Sequence, residues 1–236
     1  MPDTESRLVL GIDTSTDVCA AVARGAEVLA TAVVTDKMQH VEQATPLVHR
    51  VMREAGVRLA DVDLITVGLG PGPFTGLRVG IATAQILASV RGVPLHGVCS
   101  LDVIAQQCLR EVDPVPAEFL VASDARRKEV YWARYSASGQ RLEEPTVGAP
   151  ESVPDLPLVG PAADLYPDRL PVMPGPRGFD AGTLCTAGPD LPGAGTEPLY
   201  LRRPDAAEPS RPKSVLVRRP DLRAAGLNRR RSKETP

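Results

Sequence analysis

Nine consecutive residues, Gly70-Pro71-Gly72-Pro73-Phe74-Thr75-Gly76-Leu77-Arg78, constrain the fold of this chain more than any other feature. They follow an apolar run, residues 64–69, that reads as a strand buried on both faces. They open a second apolar run, residues 74–91, long enough to be a helix. A strand, a tight turn and a helix start in this order build a concave ledge of backbone N–H groups. Its glycines admit a close partner and its prolines fix the turn. The plain alternative is a strand-to-helix connection that needs special backbone angles. No Lys follows the glycines at the P-loop position, so an ATPase ledge has no support. Arg78, one turn into the helix, is placed to pair with an acid or a phosphate.

The flanking sequence supplies the rest of a mixed sheet with helices. Residues 7–12, 18–23 and 28–34 read as three strands of a meander. Val41, Ala44, Val48, Val51, Met52 and Ala55 fall at helical spacing, with Gly56 as C-cap and Pro46 predicting a kink or a late start. Residues 93–98 read as a strand, and Ser100 as the cap of a helix over 101–109 with Asp102 in its first turn. Hydrophobic residues make up 43% and aromatics only 3%, so the core must be built from Ala, Val, Leu and Ile. This pattern predicts an α/β fold.

The second half differs. Residues 119–123 and 129–135 read as strands, but 15 of the 24 prolines then fall between Pro145 and Pro212. Proline at that density excludes long helices and central strands. Short strands at 157–160 and 198–201 fit a reduced second lobe. From Ala206 onward nine Lys/Arg stand against three Asp/Glu, a net of +6, so the body carries −8 of the total of −2. The expected organisation is an N-terminal lobe at 1–109, a reduced lobe at 110–205, and a basic, disordered tail at 206–236. Cys19, Cys99, Cys108 and Cys185 form no C-x-x-C pair, and no segment has a signal-peptide pattern or a long apolar run. A soluble, reducing, cytoplasmic setting is expected.

Four constellations remain. Gly11-Ile12-Asp13-Thr14-Ser15-Thr16 ends the first strand; it is either a phosphate-facing turn with an acid for magnesium or an ordinary hydroxyl-rich turn between strands. The helix over 74–91 is apolar on nearly every side, and Gly76, Gly80, Ala84 and Ala88 recur every four residues. That smooth side predicts the approach of a helix from another protein rather than from this chain's small second lobe. Asp124-Ala125-Arg126-Arg127-Lys128 is a charged turn into an aromatic strand, lining a cleft or merely solvated. His40, His49 and His96 lack metal-ligand spacing, and no nucleophile elbow is present. The cluster at Arg229, Arg230, Arg231 and Lys233 can meet RNA phosphates, although such tails are more often only solvated.

Together these motifs resemble the TsaB (YeaZ) family: G-I-D-T-S-T from Gly11, the Gly-rich run from Gly70 to Gly80, D-A-R-R-K-E-V-Y-W-A from Asp124, the helix start at His40-Val41-Glu42, and P-L-Y-L-R-R-P-D-A from Pro198. The resemblance covers roughly residues 7–206. It implies an ASKHA (actin/Hsp70/sugar-kinase-like) two-lobed α/β fold with a reduced second lobe. It also implies a non-catalytic role beside TsaD and TsaE in forming threonylcarbamoyladenosine in tRNA. The partner surface it implies comprises Val41, Ala44, Val48, Gly76, Leu77, Gly80, Ile81, Ala84, Leu87 and Ala88. Through it the chain would bind TsaD, or a second copy of itself when alone, and meet tRNA only indirectly. No metal and no cofactor of its own is expected; ATP or ADP shared between subunits would meet Asp13, Ser15, Thr16 and Gly72. Two alternatives stay open: an ASKHA kinase or ATPase using the Asp13 turn, and a metallopeptidase.

Overall fold

A computed structural model describes residues 6–35 and 40–202, with the backbone alone at 40–42. All of them belong to one compact unit. The first sheet begins with the expected meander: β1 (Leu8–Asp13), β2 (Val18–Arg24) and β3 (Glu27–Val34). Helix α1 (His40–Glu54) leads to β4 (Leu64–Gly68), α2 (Phe74–Arg91), β5 (Leu95–Val98) and α3 (Ser100–Glu111). The strand order is β3-β2-β1-β4-β5. β1 and β2 pair antiparallel, Leu8 opposite Arg24, whereas β1, β4 and β5 run parallel. Three parallel strands deliver their C-terminal ends to one edge. Asp13, the Gly-rich loop and the start of α3 therefore meet there.

β1 and β4 are buried along their whole length, as runs without alternation require. One face of the sheet carries α1 and α2, whose Leu47, Val51, Leu77 and Ile81 share a core cluster with Leu10 and Ile65. α1 continues through Pro46 from His40 to Glu54, so the late start expected there does not occur. Pro46 is exposed, where its missing N–H is least costly. Gly56 ends the helix at φ 65°, as expected of a C-cap.

The second sheet has the order β8-β7-β6-β9, built from β6 (Glu118–Asp124), β7 (Val130–Ser136), β8 (Thr146–Gly148) and β9 (Leu158–Val159). The helices of this half are short, α4 (Ala162–Leu165) and α5 (Ala181–Thr186), as its proline density dictates. α5 covers the other face of the first sheet, where Ala181 and Cys185 pack with Val9, Cys19 and Ala21. A partly buried ion pair joins α3 to the second sheet: Asp102 accepts from Arg141 at 3.0 Å and from the Tyr135 hydroxyl at 2.8 Å. Residues 198–201 do not form the expected strand; Leu199 N donates a single bond to Leu69 O at 2.8 Å. The basic segment at 206–236 lies outside the described residues. No helix among the described residues is long and apolar enough to cross a membrane.

Candidate functional site

The site forms where β1, the β4–α2 loop and α3 converge. Asp13 closes β1 with no exposed surface. Its Oδ1 accepts from Ser15 N at 2.8 Å and from the Ser15 hydroxyl at 2.7 Å. Its Oδ2 accepts from the Ser100 hydroxyl at 2.6 Å. Ser100 Oγ in turn accepts from Gly70 N at 3.1 Å, and Ser100 N donates to Gly70 O at 2.8 Å. Ser100 is thus not the helix cap expected from sequence; its hydroxyl is used by Asp13, and Cys99 precedes the first turn without a side-chain bond. Burial raises the Asp13 carboxyl above the ordinary range, against the pull of the Ser100 and Ser15 bonds.

The nucleotide contact expected from sequence finds Asp13 engaged within the chain. A carboxylate that binds hydrated magnesium needs open lone pairs facing solvent. Asp13 instead spends its oxygens latching three elements together. Ser15 is buried with it, and the Ser15 backbone O lies 2.6 Å from where a Cβ on Gly72 would stand. Gly72 therefore lets the β1–β2 turn close against the ledge and is not presented to a ligand. Thr16 Oγ1 is buried with no hydrogen-bond partner among the described residues.

The ledge is covered from the far end of the chain. The Tyr200 ring stacks on Phe74 with centroids 4.2 Å apart and planes at 20°. Arg78 Nε donates to the Tyr200 hydroxyl at 2.8 Å, so its partner within the chain is a phenol rather than an acid. Gln85 Nε2 donates to Thr196 O, and Arg202 donates to Ala125 O at 2.8 Å and pairs with Glu129. Residues 196–202 form a strap over the start of α2. The motif ending was legible, but its docking place, 122 residues back in sequence at Arg78, was not.

Most of the α2 residues assigned to a partner surface from sequence face inward. Leu77, Gly80, Ile81, Ala84 and Ala88 are its buried residues. Ala44 and Val48 of α1 lie in the same core. A Cβ on Gly76 would meet Thr14 O at 2.9 Å, and one on Gly80 would collide with the Thr14 side chain. The small-residue stripe accommodates this chain's own β1–β2 turn and sheet. Leu87 is half-buried, and the side chain of Val41 lies outside the described residues. The outward face instead presents Ala82, Ile86 at 63% exposure and Val90 at 74%. Beside it a groove of about 370 Å³ runs between the helices, floored by Val48, Met52 and Leu87.

Residues 27–164 match a family model described as TsaD, tRNA N6-adenosine threonylcarbamoyltransferase. An uncharacterized protein of Mycobacterium tuberculosis is 42% identical over 205 residues, spanning 84% of this chain and 93% of that one. The tRNA threonylcarbamoyladenosine biosynthesis protein TsaB of Escherichia coli is 35% identical over 127 residues, 54% of each chain. The crystal structure of YeaZ from Pseudomonas aeruginosa aligns with 83% of this chain and 100% of its own, at 29% identity and a TM-score of 0.63.

Proposed function

The chain belongs to the TsaD/TsaB family, and from that membership we propose that it is the non-catalytic partner subunit in tRNA threonylcarbamoyladenosine formation, acting beside TsaD and TsaE. The two lobes proposed for it, residues 1–109 and 110–205, each hold one sheet within a single compact unit, with α5 and the strap reaching back from the second to the first. The observation that carries the reading is the outward face of α2. Ala82, Ile86 and Val90 repeat at i, i+4 and i+8, which lines them along one side of the helix. An apolar helix face beside an interhelical groove suits a helix bundle with a partner's matching helices. TsaD is the partner proposed, and a second copy of this chain takes its place in isolation. Asp13 supports the non-catalytic part, because its oxygens are engaged inside the chain.

The test is co-elution with TsaD under light scattering. The parent chain should form a 1:1 complex at the expense of its homodimer. Ile86→Arg with Val90→Arg should stay folded, and both species should disappear. Retention of the complex by that variant would place the interface elsewhere.

A further inference from the structure

The β6–β7 connection holds three consecutive residues at positive φ: Arg126 at 60°, Arg127 at 54° and Lys128 at 63°. Side chains with a Cβ avoid this region, and Gly, Asn and Asp are the usual occupants. A turn that only reversed the chain would use those residues. Here each position carries a long cation instead, and all three are exposed.

The base of the turn is firmly held. Ala125 N donates to Glu129 O and Glu129 N to Arg126 O, both at 3.0 Å. The flanking acids are engaged there: Asp124 accepts from Arg126 N at 2.8 Å and lies 3.7 Å from the Arg126 guanidinium, and Glu129 pairs with Arg202. Arg202 adds a further cation at the base of the turn, where it donates to Ala125 O at 2.8 Å. Four cations, Arg126, Arg127, Lys128 and Arg202, therefore gather against two acids, Asp124 and Glu129, on a chain whose net charge is −2. A local excess of exposed cations is the chemistry that meets the phosphates of RNA.

We propose that the turn of Arg126, Arg127 and Lys128 is a direct contact surface for the phosphate backbone of RNA. The proposal rests on the reading of the chain as a tRNA-modification subunit and adds that this subunit itself touches the nucleic acid. The left-handed turn spreads three successive side chains around its tip, so neighbouring phosphates can be met from one short loop.

The full chain, alone and with TsaD, is titrated against a fluorescent unmodified tRNA transcript between about 50 and about 200 mM salt. Arg126→Gln with Arg127→Gln and Lys128→Gln should weaken binding about tenfold at the low end and reduce the log–log salt slope by about 2. Arg24→Gln with Arg169→Gln, exposed cations elsewhere, should leave both unchanged. Co-elution of the triple variant with TsaD is measured in parallel. Weaker RNA binding with TsaD pairing intact supports the surface. Unchanged affinity and slope in the triple variant, or no RNA binding by the parent in either form, overturns it. Failure of the parent to pair with TsaD strikes the partner reading alone, because RNA binding by the free chain is read independently.

Discussion

Asp13 behaves as a structural latch because of what surrounds it at atomic range. Gly68 stands directly against it: a Cβ there would overlap Asp13 Oδ2 and crowd Ser100 Oγ. Gly68→Ala should therefore lower stability by about 3 kcal/mol in urea unfolding, by overpacking a buried hydrogen-bonded group. The latch also titrates. Burial raises the folded-state pKa of Asp13 above its unfolded value, so the folded chain takes up this proton more readily. The stability it contributes is whole below the unfolded pKa and is lost as pH rises through the folded one. Asp13→Asn removes that titration. The stability of the parent relative to Asp13→Asn should fall as pH rises above the ordinary carboxyl range, then level off; a flat difference in urea unfolding across that range would refute the assignment. None of this was legible in the hexapeptide Gly11 to Thr16. An acid followed by hydroxyls is the same string whether it faces a nucleotide or a serine 87 residues away.

Among the elements, α2 shows both what periodicity resolves and what it leaves open. Its span, residues 74–91, is legible from the apolar run and from Gly92, which caps it at φ 63°. Its orientation is not legible, because small and large apolar residues cover every side and leave almost no amphipathic direction. The stripe of Gly76, Gly80, Ala84 and Ala88 invites close approach equally from inside or outside. The β1–β2 turn takes it, through Thr14 Oγ1 donating to Gly76 O at 2.8 Å. Ala84→Arg, within the surface expected to meet a partner, should instead unfold the chain, since that residue has no exposed surface and a cation there would be buried unpaired. Circular dichroism of that variant beside Ile86→Arg, which should keep the parent spectrum, separates the two faces.

Across the whole molecule, the strap ties the last described residues to the first sheet. Tyr200→Ala removes a ring stack and the Arg78 hydrogen bond together, and should cost about 1–3 kcal/mol by urea unfolding without altering the fold. A change of a few tenths of a kcal/mol would mean that the strap merely rests on α2. The sequence by itself determined the α/β class, the meander, the span of α2 and the short elements of the proline-rich half. Those features are local: apolar periodicity and the missing N–H of proline act within a few residues. Only the tertiary structure decided that Asp13 faces Ser100, that α2 turns its small residues inward, and that Tyr200 covers the ledge. Each of these is a choice among chemically equivalent partners, made by which groups the sheet topology brings within reach once the backbone has closed around them.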